Sequence, residues 1–291
     1  MTDNDTIAAA FQWSLEMLPA EAPSLHELRG VLAPGTRIYL PWLPRQDFAL
    51  LLSALVRVRE CGFEPVPHLA ARRIDGEVNL GALIEDMVMS AGVRRVLLVA
   101  GDAAQPMGPY RDSAALLESR VLSRAGIAEV GFAGHPEGHL HLASARLQAA
   151  LLRKVKMTRE QGQQPFIVTQ FSFAPARVVA YAAQLAHALH GTAVYVGVAG
   201  PTDPIKLLRY ARLCGVNASR SALSQLGTGI ARLAMHTDPA EHIAAVTQQQ
   251  RRGASHIAGV HLFSFGGLVH TARWLAGLRA NARPASSEAT A

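Results

Sequence analysis

Residues 130–141 read Val130-Gly-Phe-Ala-Gly-His-Pro-Glu-Gly-His-Leu-His141, and the way this stretch folds decides the fold of the chain. Glu129–Ala133 is an apolar, β-like run, the Gly-His-Pro-Glu-Gly-His segment has turn composition, and a helical pattern follows from Ala143 to Gln161. The stretch is therefore one β-loop-α unit. Its loop collects three histidines and a glutamate, at the kind of strand-to-helix edge where α/β folds build their sites.

Outward from this unit the same alternation repeats. β-like runs fall at Phe11–Leu18, Thr36–Leu43, Pro65–Ala71, Arg95–Ala100, Phe166–Phe173, Ala193–Ala199 and Ile257–Phe265. Helical patterns follow at Ser24–Val31, Asp47–Cys61, Leu80–Ala91, Ser113–Ala125, Ala176–His190, Pro204–Leu213 and Gly267–Leu278. Some boundaries carry their own chemistry: Gly62 and Gly92 follow helices, Asp203 precedes Pro204 as an N-cap, and Pro165 opens a strand. Eight such units predict an α/β fold, a single (β/α)8 TIM barrel over residues 1–280, with extra helix in Asn217–Gln250 before the last strand and a flexible tail at 281–291. A doubly wound open sheet is the alternative, and the lack of G-x-G-x-x-G after the first strand counts against it.

Composition narrows the function classes. Hydrophobic residues make up 49% of the 291 and charged residues 17%, enough apolar mass for one large core. The formal charge of +6 comes from dispersed Lys and Arg with no basic arm, so nucleic acid is not an expected partner, while a small anionic ligand is compatible. Cys61 and Cys214 lie far apart without C-x-x-C spacing, which indicates neither a zinc-cysteine site nor a disulfide framework and fits a reducing cytoplasm. No apolar run approaches the roughly 20 residues that span a bilayer, so no membrane segment is expected.

A barrel demands that odd polar residues gather at the C-terminal ends of strands, and they do: Glu16, His68, Gly101-Asp102, His135, Glu137, His139 and Thr169-Gln170 all fall there. Glu16 stands inside an apolar run, either facing solvent or held in the barrel mouth with a raised pKa suited to proton transfer. Asp102 is too far from the helix near Ser113 to be its cap. Gln170, flanked by Phe171 and Phe173, is suited to hydrogen-bonding a flat heterocycle, although backbone satisfaction of a buried glutamine is common. His135-Pro-Glu137 and His139-Leu-His141 also admit a metal reading, but the deaminase H-x-E lacks its P-C-x-x-C partner. Contact of one or two of these histidines with an organic cofactor is favoured, with no metal. The chain has no G-x-S-x-G, and neither cysteine sits in an obvious strand-end loop.

Taken in order, these residues resemble the methylenetetrahydrofolate reductase family of the MetF type. Ser14-Leu-Glu-Met17 is similar to its first-strand motif, Pro67-His-Leu69 to its Pro-His-Leu, and Gly101-Asp102 to its Arg-Gly-Asp. Ala133-Gly-His-Pro-Glu-Gly-His139 resembles its Ala-Gly-Tyr-Pro-Glu-Gly-His, Arg153-Lys-Val155 its Arg-Lys-Val, and Thr169-Gln-Phe171 its Thr-Gln-Phe. The resemblance implies an eight-stranded barrel that interconverts 5,10-methylenetetrahydrofolate and 5-methyltetrahydrofolate by hydride transfer with NADH or NADPH through FAD. It implies that Glu16 protonates a folate nitrogen and that Asp102 stabilises a cationic iminium beside the flavin. Gln170, Phe171 and Phe173 would contact the folate, and His68, Gly101, Asp102, His135, His139 and Lys154 would hold FAD. A cytoplasmic homo-oligomer is expected. Five positions depart from the family: Ala100 replaces its arginine, His135 its tyrosine, Ala174 its aspartate, and Gly266-Gly267 its Asn-Arg pair. A flavin-independent version of the reaction is therefore an alternative. So are a metal-dependent hydrolase using His135, Glu137, His139 and His141, and an inactive partner subunit.

Overall fold

A computed structural model describes residues 11–139, 142–214, 216, 239–251 and 257–281. Eight parallel strands, β1 (Gln12–Glu16), β2 (Arg37–Leu40), β3 (Glu64–Ala70), β4 (Arg95–Val99), β5 (Glu129–Gly134), β6 (Gln164–Thr169), β7 (Ala193–Ala199) and β8 (Ile257–Phe263), pair in sequence order and close with β8 beside β1. This is the (β/α)8 barrel that the alternation predicts. The strands start and stop within a few residues of the apolar runs, because both of their faces are buried and each reads as a near-continuous hydrophobic segment.

The helices are α1 (Phe48–Glu60), α2 (Glu77–Ala91), α3 (Ser113–Glu118), α4 (Val121–Arg124), α5 (Ser144–Glu160), α6 (Pro175–Ala188), α7 (Pro204–Leu213), α8 (Pro239–Arg251) and α9 (Leu268–Asn281). β1 is followed by 3-10 turns over Pro19–Leu28 rather than by the helix expected at Ser24–Val31. Pro19 and Pro23 lack the N–H groups that an α-ladder there would use. The single helix expected at Ser113–Ala125 is two, broken at Arg120, which adopts a left-handed φ of 59°. The boundary chemistry holds: Gly62 and Gly92 take positive φ after α1 and α2, and Asp203 accepts hydrogen bonds from the Ile205 and Lys206 amides at the start of α7.

Alternate residues of each strand point inward. Trp13, Leu15 and Met17 pack outward against the helices, while Gln12, Ser14 and Glu16 take the opposite, inward face. The interior is plugged by Tyr39, Val66, Leu97, Phe166, Val168 and Tyr195.

The two described helices between β7 and β8 share their duties differently from the sequence order. The helix covering the barrel wall is α8, which packs against β7 and α6. Leu207, Tyr210 and Ala211 of α7 instead pack with Phe171, Phe263 and Phe265, from the C-terminal ends of β6 and β8. So α7 lies over the mouth. The rest of the Asn217–Gln250 segment falls outside the described residues.

Candidate active site

The C-terminal face gathers the expected residues into three neighbouring groups. Glu16 ends β1 in register with Tyr39 of β2. Burial, reinforced by the nearby Glu21 carboxylate, raises its pKa to about 7. Glu21 is held by two backbone amides: its Oε2 accepts from Leu18 N at 2.9 Å and its Oε1 from Leu268 N at 2.9 Å, at the start of α9. A fixed negative charge thus stands beside a desolvated carboxyl.

The second group is a cleft of about 560 Å³ over the ends of β2, β3 and β4, lined in part by Trp42, His68, Arg73, Gly101, Asp102 and Met107. Burial lowers the His68 pKa to about 4, and its buried Nε2 has no hydrogen-bond partner among the described residues. Gly101 takes a φ of 91°, and a Cβ there would lie 3.1 Å from the Ala70 Cβ, so the chain turns tightly enough to bring Asp102 to the rim. Arg73 stacks 4.2 Å from the centre of the Trp42 ring and donates to the carbonyls of Trp42, Leu43 and Gln46, which fixes the β2–α1 loop as one wall. Arg72 donates to the Ala103 and Arg111 carbonyls, at 3.0 and 2.9 Å.

The third group is the opening loop of the sequence. The His135 and His139 rings meet edge to face at 5.4 Å. Burial, with the charges of His139 and Lys154, lowers the His135 pKa to about 4. Lys154, on α5, sits 4.9 Å from the Phe132 ring centre and 3.3 Å from the Ser113 hydroxyl. Its pKa is lowered to about 8 by burial, against the pull of Asp112. Glu137 reaches the segment after β6: its Oε1 accepts from the Ser172 hydroxyl at 2.6 Å and from Phe173 N at 3.3 Å. Among the described residues no three His, Cys, Asp or Glu side chains come together as a metal site; His141 lies outside them.

β6 ends at Thr169, so Gln170–Phe173 have left the sheet. Gln170 Oε1 accepts from Phe171 N at 3.0 Å. Phe171 is buried among Phe173, Phe263 and Phe265, at centroid distances of 5.9, 5.6 and 5.2 Å, and Phe173 is half-buried.

One residue here was not legible in the sequence. Cys214 follows α7 and its thiol bonds the Gln170 side chain, with the carboxylates of Glu16 and Asp102 close enough to oppose its ionisation. The residue is exposed at the surface, yet its thiol is desolvated, and this, more than the two carboxylates, raises its pKa to about 11. Its position after a helix gave no hint, because the sequence does not tell that α7 crosses the mouth. Trp42 and Arg73 were also missed; Pro41-Trp-Leu-Pro44 at the end of the second run was the available signal.

These features define a parallel (β/α)8 barrel with a polar site at its C-terminal face. The model of the methylenetetrahydrofolate reductase family matches residues 51–265, and the chain belongs to that family. Solved structures share the fold. An uncharacterized protein from Clostridium thermocellum, described as binding two copies of 5-methyl-5,6,7,8-tetrahydrofolic acid, aligns with a TM-score of 0.61 at 9% identity, covering 94% of this chain and 98% of that one. Dihydropteroate synthase from Thermus thermophilus aligns with a TM-score of 0.53 at 15% identity, over 94% and 95% of the two chains.

Proposed function

We propose that the protein is a folate oxidoreductase that interconverts 5,10-methylenetetrahydrofolate and 5-methyltetrahydrofolate with NADH or NADPH. The observation that carries this reading is Glu16, a carboxyl at the end of β1 with a pKa of about 7, beside Asp102 and Gln170 around one thiol. Family membership and a barrel of the same fold that binds 5-methyltetrahydrofolate are in keeping with it.

In the reductive direction protonated Glu16 gives its proton to the folate nitrogen whose bond to the methylene carbon breaks. The other nitrogen becomes an iminium, and hydride added to the methylene carbon leaves a methyl group. A carboxyl with a pKa near the working pH is suited to this step, since it both holds and releases a proton there. Asp102 stabilises the passing positive charge. Gln170 orients the pterin by hydrogen bonding.

For FAD, the orphaned Nε2 of His68 in the cleft fits a ring cofactor. Gly101 and Asp102 would border that ring, and His135, His139 and Lys154 would hold the remainder, with Lys154 toward a phosphate. The flavin, when bound, would relay hydride between nicotinamide and folate. Direct transfer from nicotinamide to folate is a second reading, favoured by one observation: Arg73, which lines the cleft together with Arg45, is bonded to backbone carbonyls, as is neighbouring Arg72, and Ala100 supplies no guanidinium.

The test is an absorbance titration with FAD, followed by NAD(P)H oxidation assays with methylenetetrahydrofolate and the reverse assay with methyltetrahydrofolate. Folate-dependent turnover is expected, with the titration deciding the hydride route. A protein that neither binds methyltetrahydrofolate nor turns it over would overturn the proposal.

A further inference from the structure

The geometry points to Glu137 as a positioning residue that, through Ser172, sets the spacing between the two halves of the site; this rests on the folate oxidoreductase reading. The β5–α5 loop carries His135 and His139 on one side, and the segment after β6 carries Gln170 and Phe173 on the other. The two are joined where the sheet no longer holds them. The last ladder-like bond between them is Gln170 N to the Gly134 carbonyl, at 2.8 Å. Beyond it Glu137 reaches across, and one of its oxygens accepts from both the Ser172 hydroxyl and the Phe173 amide. Ser172 is buried, and its oxygen also accepts from Ala174 N at 2.9 Å, directly before α6. One chain of hydrogen bonds thus runs from the histidine loop, through a buried hydroxyl, to the start of the helix that follows the Gln170 segment.

A hydroxyl bonded to a carboxylate at 2.6 Å is charge-assisted and short, so it fixes distance more tightly than neutral contacts do. Spacing is what hydride transfer is sensitive to. The reacting carbons must come within about 3–3.5 Å, and a misplacement of about 1 Å costs on the order of a hundredfold in rate. Glu137 touches neither reacting atom. It acts through Ser172 and the Phe173 backbone.

The experiment is a double-mutant cycle on the full chain with Glu137→Ala, Ser172→Ala and both together, and with Ser172→Thr as the conservative variant. The expected result is a kcat loss of about tenfold or more in each single variant, with KM for folate and for nicotinamide within about threefold. The double variant should be no worse than the poorer single, and Ser172→Thr should recover to within about twofold. A deuterium isotope effect from labelled NAD(P)H that grows in Ser172→Ala would mark lost hydride geometry rather than lost fold. A Ser172→Ala variant within about twofold of the parent, or losses that multiply in the double variant, would overturn the inference. If the parent has no folate activity, the functional reading has failed. The same cycle read by thermal unfolding then decides the clamp alone: non-additive losses support it and additive losses overturn it.

Discussion

The two ends of the barrel interior treat charge in opposite ways. At the N-terminal end, buried Arg95 opens β4 and pairs with Glu129 at the start of β5, with its guanidinium 4.9 Å from the Phe166 ring centre. Arg37 donates to Gln12 Oε1 at 2.8 Å and to the Tyr195 hydroxyl at 2.7 Å. At the C-terminal end, Glu16 is desolvated beside a second carboxylate, and the Nε2 atoms of His68 and His261 have no partners among the described residues. The charges at the bottom are paired within the protein, although Arg95 Nη1 has no partner of its own among the described residues, whereas the Glu16 carboxyl and the two imidazoles at the top are left to be matched by something that binds. This is the division expected of an enzyme barrel, where the lower face serves stability and the upper face serves chemistry.

The largest break in that comparison should come from Glu16→Gln. Removing a general acid lowers turnover by about 10²–10⁴-fold, measured as methylenetetrahydrofolate reduction, while NAD(P)H binding and the fold persist. Stability should respond in the opposite sense to activity. The folded-state pKa of Glu16, about 7, lies above the 4.5 of the free carboxyl, so its contribution is fully present below about pH 4.5 and is lost as pH rises through 7. Above pH 7 the glutamine variant should therefore be at least as resistant to urea as the parent. A variant less stable there would mean that the carboxylate makes favourable bonds that outweigh its burial.

Glu129→Ala makes the complementary break at the bottom. It leaves buried Arg95 without its carboxylate, at a cost on the order of 3 kcal/mol, the lower end of the range because Glu129 is itself partly open to solvent. For a chain of this size the melting temperature should fall by about 6–12 °C, with kcat within about twofold. A large kcat loss at unchanged stability would dissolve the distinction between the two ends.

Most of the frame was legible because buried parallel strands appear as apolar runs punctuated by Gly and Pro, and because strand-end position is a one-dimensional property. Glu16, His68, Asp102, His135 and Gln170 could be placed at strand ends without knowing which of them meet. Meetings across the mouth could not be read that way. Glu137 looked like half of an H-x-E pair, yet it turns to Ser172 on the next unit. Phe171 looked like a ligand contact and is buried in an aromatic cluster under α7. Cys214 reached the site because α7 packs on the aromatic residues at the strand ends. Helix direction depends on which apolar faces match in three dimensions, and a periodicity of about 3.6 carries no such information.

The gentlest test of the comparison concerns His261, which lies wholly buried under the site with Nδ1 3.0 Å from the Ser14 hydroxyl and its ring 4.6 Å from that of Tyr39. Burial, with a smaller push from His68, lowers its pKa to about 3, against 6.5 for a free imidazole. As pH falls below about 6.5 the unfolded chain takes up the proton first, so stability present above that pH is lost down to about pH 3. Replacing His261 by Phe removes this sensitivity at a cost of about 1 kcal/mol at pH 7, from the hydrogen bond that Ser14 loses. Melting temperatures measured between pH 7 and pH 4 should therefore decline less steeply in the variant, the two curves crossing within the first pH unit or so below 6.5, because one such group loses about 1.4 kcal/mol per unit there. Parallel curves would mean that water reaches the imidazole in the parent, and the interior below Glu16 would then be wet enough to weaken the argument for its raised pKa.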